Sequence, residues 1–230
     1  MVLLSACRLE LAVNVAVEED GSGIVEVVVA VDPDGIDRMG GDLATVLEIA
    51  DVVDAGWVAD GPDVESDGWT RVRFRRPFAD PAGADAIFED IAAADGPFQD
   101  LAVGYDPSFA RSDWTFGGRL DFSGGLAAFG DDALTAELDG EPLGQSREEI
   151  EAQLGEPLAD VIQGRVAVRL PGEVTSNAPT TVGDAVVWQA GFGDDAIDLE
   201  ATGEEQRTAT LVAVGAGTVC LVLLLVYGLV

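Results

Sequence analysis

Leu9, Leu11, Val13, Val15 and Val17 alternate with Glu10, Ala12, Asn14 and Ala16. Side chains two positions apart share one face of a strand, so this stretch can bury its Leu/Val face only as a half-covered β-strand. Glu19-Asp20-Gly21-Ser22-Gly23 has the composition of a turn, and Ile24 to Val31 is apolar and β-branched. The chain therefore opens on a predicted β-hairpin. An isolated hairpin is marginal in water, so later segments must complete a sheet or cover it.

The rest of the chain offers those segments. Asp37 can cap a helix running to about Asp51, with Leu43, Val46, Leu47 and Ala50 at helical spacing. Gly56 to Asp60 and Trp69 to Arg76 read as a strand pair around an Asp67-Gly68 turn, and Pro81 to Ala94 as a helix closed by Asp95-Gly96-Pro97. Leu101 to Tyr105 and Ser112 to Phe122 read as strands. Asp131 to Leu138 and Ser146 to Leu154 read as short helices, the second with a Ser146/Glu149 capping box. Gln163 to Leu170, Ala185 to Gln189 and Ile197 to Ala201 are late strands. Strand pairs interleaved with helices predict an α+β fold: a single antiparallel-sheet domain over residues 8–204 with helices packed on one face. A short polar stalk, 205–208, follows it.

Both ends point to a membrane. Residues 209–230 carry no charged side chain. As a helix of about 1.5 Å rise per residue they would span roughly 33 Å, enough for a hydrocarbon core of about 30 Å, which predicts one C-terminal transmembrane helix. At the other end, Leu4-Ser5-Ala6-Cys7 fits a bacterial lipobox: small residues before a cysteine whose thiol receives a diacylglycerol by thioether. Residues 1–7 then read as a signal-peptide remnant, and Cys7 as the lipidated residue. Only Val2, Leu3 and Leu4 precede the box as an apolar stretch, where a working signal has about 7–15 apolar residues. The lipobox thus requires a start upstream of Met1; with Met1 as the start, Cys7 is incidental. Cys220 lies inside the apolar stretch, so residues 8–204 hold no cysteine and no disulfide framework.

Charge narrows function further. The chain carries 12 basic and 43 acidic residues, for a net charge of -31, and every basic residue is arginine. Such a surface repels phosphate backbones, which argues against nucleic acid as a partner. Without histidine there is no imidazole base or metal ligand, and without lysine no Schiff base. No cofactor is expected, and a non-enzymatic role is the leading reading. An enzyme would have to work with carboxylates alone.

Four of the arginines, Arg71, Arg73, Arg75 and Arg76, lie within six residues. On a strand the first three share a face, with Val72 and Phe74 on the other. A row of guanidiniums suits phosphate or carboxylate head groups, and these four are the candidate ligand-binding residues. The bland reading is a row of surface ion pairs with neighbouring acids. Asp32-Pro33-Asp34-Gly35 and Gly193-Asp194-Asp195 are better read as turns than as Ca²⁺ loops, since the twelfth position from Asp32 is Leu43 and not an acid. Trp57, Trp69, Trp114 and Trp188 read as core anchors.

Late in the chain stands VAVRLPGEVTSNAPTTVGDAVVW, residues 166–188. Pro171 can end a strand, Gly172 can take a backbone angle other residues resist, Asn177 can bridge the next turn, and Trp188 can pack on the sheet. With the lipobox leading into CRLELAVNVAVEEDGSGIVEVVVAV and the apolar C-terminus, this order resembles the LppM-type envelope lipoproteins of high-GC Gram-positive bacteria. The resemblance implies an outward-facing domain at the cell membrane, with envelope lipid or lipoglycan as ligand. A groove between sheet and helices would take the apolar part, and the Arg71–Arg76 row the anionic head group. The alternative from another class is a cytoplasmic, tail-anchored interaction module, slightly favoured by Arg207 beside the apolar stretch.

Overall fold

The alternating stretch forms β1 (Leu9–Val17), which turns into β2 (Gly23–Val31) in unbroken antiparallel register, Leu9 opposite Val31 and Val17 opposite Gly23. Val13, Val15 and Val17 of β1 are buried, as are Val25, Val29 and Val31 on the same face of β2. The structure, a computed structural model, describes residues 8–38, 43–47, 49–92, 96–123, 151–152, 155 and 157–206. Cys7, residues 209–230, the helix expected at 131–138 and most of the one expected at 146–154 lie outside the described residues.

Next come three short helices, α1 (Pro33–Arg38), α2 (Leu43–Val46) and α3 (Ile49–Asp54), where one helix from Asp37 to Asp51 is expected. The first begins earlier than expected because Asp32, not Asp37, supplies the cap: its Oδ1 accepts the Gly35 N–H at 2.8 Å, and Pro33 stands where no backbone donor is needed. The strand pair follows as β3 (Val58–Val64) and β4 (Thr70–Phe78), and then α4 (Pro81–Ile91), capped by Asp80 through the Gly83 N–H at 2.8 Å.

Strands β5 (Phe98–Pro107) and β6 (Arg111–Leu120) form a further hairpin. A short helix, α5 (Leu158–Val161), leads into β7 (Ile162–Arg169), β8 (Glu173–Ser176), β9 (Thr180–Val182), β10 (Ala185–Gly191) and β11 (Ile197–Gln206). The last strand runs through Glu205 and Gln206, two of the four residues read as a stalk.

These strands build two sheets, and here the expected single antiparallel sheet with helices on one face is corrected. One sheet has seven strands in the order β3-β4-β2-β1-β7-β10-β9, and the other four in the order β5-β6-β11-β8. The larger sheet is mixed, because β1 pairs with β7 in parallel, Leu9 beside Ile162 and Ala16 beside Arg169. The fold is mostly β. The physical reason lies in β5, β6 and β11: each presents an apolar row, including Leu101, Val103, Trp114, Phe116, Leu199 and Ala201, all buried. Those rows cover much of the apolar face of the large sheet where helices were expected, and α4 reaches between them. Phe116 meets Trp188 of β10 at a centroid distance of 6.1 Å and Phe88 of α4 edge-on at 6.5 Å. One continuous apolar cluster results. Among the described residues no helix is long and apolar enough to cross a membrane.

The Leu170-Pro171-Gly172 step lies where the chain leaves the large sheet for the small one. Gly172 has φ of +77°, and a Cβ there would lie 2.3 Å from the Glu204 carbonyl oxygen of β11. Glycine is therefore required twice over, by the backbone angle and by the close approach.

Candidate functional site

Strand alternation splits the arginine row of β4. Val72 and Phe74 are buried in the core, while Arg71, Arg73 and Arg75 project from the opposite, outer face of the large sheet. Arg76 falls on the core side, at the sheet margin, and pairs with Asp90 of α4. The structure thus does not hold the four guanidiniums together.

The three outer arginines are heavily partnered. Arg71 forks onto Asp67 with donor–acceptor distances of 3.0 and 2.8 Å and reaches Glu65 at 2.8 Å. Its guanidinium also lies 5.7 Å from the Trp69 ring centroid. Arg73 pairs with the other oxygen of Glu65. Arg75 donates to Glu26 at 2.6 Å and touches Asp60 at 3.5 Å. Register explains the pairing, since Glu26 lies directly opposite Arg75 across β2–β4, and Glu65 and Asp67 belong to the connection between β3 and β4. The hydrogen bond from Arg71, followed by the Trp69 N–H, holds the Asp67 carboxyl at about 2, well below its ordinary 3.8. The Arg75 guanidinium is raised in turn by its hydrogen bond to Glu26.

The turns weighed as cation loops use their carboxylates locally: Asp32 caps α1, and Asp194 Oδ2 accepts the Gly191 N–H at 2.7 Å.

A different feature occupies the core side of the large sheet. A groove of about 780 Å³ runs between the sheet, α2–α3 and the end of α4. Its floor is Leu11, Val27 and Phe74 from β1, β2 and β4, with Trp57 beside them. Leu47 and Val52 form one wall, and Ile91, Pro97 and Phe98 the other. Asp51 and Asp90 are its charged lining groups, and Asp90 is already paired with Arg76. The volume falls within the roughly 300–1,000 Å³ typical of small-molecule sites. Leu11 and Val27 are only half-buried, although Val13 and Val25 beside them are fully buried. The groove is therefore a part of this inner face that the second sheet leaves open. Sequence periodicity marks these side chains as core-facing, but nothing in the spacing tells that a space is left above them. The groove depends on how α2, α3 and α4 are placed.

Outside the groove the apolar interior closes around an indole. Trp188 is fully buried, and its Nε1–H donates to Asn177 Oδ1 at 2.8 Å. Trp114 is also buried, stacked on Tyr105 at 5.7 Å. Three of the four tryptophans are thus core anchors in whole or part, and Trp57, 7 % exposed, borders the groove.

No protein-family model and no curated protein matches the chain. Among solved structures, the chain is similar to the NMR structure of the folded domain of the Mycobacterium tuberculosis LppM protein, with 14 % identity and a TM-score of 0.43 over 90 % of this chain and 95 % of that one.

Proposed function

We propose that this protein is a non-catalytic binding domain held at the outer face of a cell membrane, and that its groove takes the apolar chain of an envelope lipid or lipoglycan. The groove carries the reading. Its lining is aliphatic and aromatic, its volume suits a small ligand, and its two carboxylates stand beside apolar walls, so the bound part is a hydrocarbon segment and not an anionic head. Arg76, the basic residue of the β4 row on this side, is engaged by Asp90, while Arg71, Arg73 and Arg75 face away. In this reading the row is part of the acid–base surface of the sheet and not the head-group site. Placement at the membrane is read from the chain's ends, Cys7 in its lipobox and the uncharged stretch 209–230. The absence of histidine and lysine and the net charge of -31 favour binding over catalysis and argue against nucleic acid.

Titration with decanoate, dodecanoate and tetradecanoate tests the groove. Each buried methylene contributes about 0.8 kcal/mol, so affinity should tighten up to about fourfold per added methylene until the groove is filled. Affinity independent of chain length would remove the proposal. Location is tested by protease treatment of intact and lysed cells with mass spectrometry of the N-terminal peptide. Digestion in intact cells with a diacylglyceryl Cys7 supports the envelope reading. Protection until lysis, with Met1 or Val2 retained, points to the cytoplasmic module instead.

A further inference from the structure

The outer face of the large sheet carries a second hollow, of about 370 Å³, on the side away from the groove. Its floor is made of small residues, Ala16 on β1 and Ala167 and Ala185 on β7 and β10. Arg165 and Arg169 of β7 flank Ala167 along one strand, and Arg75 closes the opposite side. In register, Arg75, Glu26, Asn14 and Ala167 form one row across four strands. Hydrogen bonds run along that row, from Arg75 to Glu26 at 2.6 Å and from Asn14 to Glu26 at 3.0 Å.

The arginines differ in how far their donors are used. A guanidinium has five N–H donors. Arg71 places its donors on Asp67 and Glu65 at 2.8–3.0 Å. Among the described residues Arg165 makes one hydrogen bond, from a terminal nitrogen to Asn14 Oδ1 at 3.4 Å; its Nε is buried toward Glu10 Oε1, 3.4 Å away, which leaves the other terminal N–H groups for a ligand. Among the described residues Arg169 has carboxylates only at 3.7 Å, from Asp184, and 3.9 Å, from Glu18, both beyond hydrogen-bond reach. Asp184 and Glu18 are 74 % and 63 % exposed, so solvent and salt screen their repulsion of an incoming anion. Three guanidiniums therefore line a hollow with a flat alanine floor, and two of them hold donors in reserve.

We infer that this hollow binds a phosphate-type oxyanion, seated over Ala167 between Arg165 and Arg169. An oxyanion offers acceptors in the number and plane that two guanidinium forks require, which exposed side-chain carboxylates on opposite rims do not. The site is independent of the groove, since it opens on the other face of the sheet.

The probe is inorganic phosphate, titrated into the full chain in nonionic detergent against chloride at matched ionic strength, and read at the arginine Nε–H resonances. Saturable shifts are expected at Arg165 and Arg169, with Arg71 unmoved. R165Q and R169Q should each weaken binding by about tenfold or more, while R71Q leaves it unchanged. Arg169, at 47 % side-chain exposure, can be replaced without opening the core, so R169Q remains decisive if R165Q fails to fold. Glycerol phosphate and phosphatidylglycerol vesicles, with phosphatidylcholine vesicles as blank, separate a soluble ester from a lipid head group; displacement of phosphate by either supports the site. Shifts that do not saturate, that chloride reproduces, or that persist in R169Q overturn it.

Discussion

The indole of Trp188 donates its Nε1–H to Asn177 Oδ1 at 2.8 Å, and the same oxygen accepts the Glu200 N–H at 3.0 Å. Asn177 Nδ2 donates in turn to the Asp198 carbonyl at 2.8 Å. One exposed amide thus joins a fully buried tryptophan of the large sheet to the backbone of β11 in the small sheet. Replacing Asn177 by Ala leaves the buried indole N–H without its partner and frees an exposed strand N–H to solvent. Asn177→Ala is expected to lower unfolding free energy by about 1–3 kcal/mol, measured by urea denaturation. Trp188→Phe removes the donor, so a double-mutant cycle should show strong coupling between the two positions. Additive effects would mean that the bond does not hold the sheets together.

Gly172, in the turn after β7, and Gly183, in the turn between β9 and β10, both have positive φ and offer a contrast. At Gly172 an added Cβ meets the Glu204 carbonyl oxygen at 2.3 Å, whereas at Gly183, with φ of +64°, it meets nothing within 4 Å. Gly183→Ala should cost about 1 kcal/mol from the backbone angle alone. Gly172→Ala adds a clash with a strand backbone and should cost about 3 kcal/mol or more. Thermal unfolding of the two variants side by side distinguishes them; equal costs would mean that β11 gives way at Glu204.

Asp67 makes stability depend on pH in a defined window. Its carboxyl is lowered to about 2 by the Arg71 hydrogen bond and then by the Trp69 N–H, against 3.8 ordinarily. A folded value below the unfolded one means the contribution is present above the unfolded value and is lost as pH falls through the folded one. The urea midpoint should therefore drop between pH of about 4 and about 2, and part of that drop should vanish in Asp67→Asn. Asp20 and Asp121, lowered chiefly by the hydroxyls of Ser22 and Ser123, act in the same direction. A pH profile identical in Asp67→Asn would show that the Arg71–Asp67 fork does not form in solution.

Leu47 and Val52 are half-buried groove walls. Leu47→Glu or Val52→Glu places a carboxylate against the bound chain, which should abolish fatty-acid binding while shifting the thermal midpoint little. Arg71→Gln, Arg73→Gln and Arg75→Gln on the other face should leave that binding intact, since none of the three lines the groove. Loss of fatty-acid binding in the arginine variants would return the head-group role to that row.

The opening hairpin was legible because alternation is local: Val13, Val15 and Val17 announce their buried face without help from the rest of the chain. Helix α4 was legible from equally local signals, Pro81 at its start and Asp95-Gly96-Pro97 beyond its end, although the Asp80 cap was not read. The second sheet was less so. Leu101, Val103, Trp114 and Phe116 mark strands, but whether those strands extend the first sheet or cover it depends on contacts such as Phe116 with Trp188, far apart in sequence. The parallel pairing of β1 with β7 is equally non-local, and it alone brings Arg165 and Arg169 beside Asn14 and Ala16. The eye falls on four arginines within six residues, yet acids opposite and beside them in register neutralise that row. The groove has no sequence signal of its own, because a space between elements is set by where they dock.

Paramagnetic broadening by spin-labelled stearate in the full chain tests directly whether a hydrocarbon chain lies in the groove. Methyl signals of Leu11, Val27, Leu47, Val52 and Ile91 should broaden at substoichiometric label, while those of Val186 and Leu199, buried elsewhere in the core, stay sharp. Leu47→Glu should remove the effect. No broadening at the groove methyls, or broadening confined to exposed Val46, Val64 and Val182, would contradict the account.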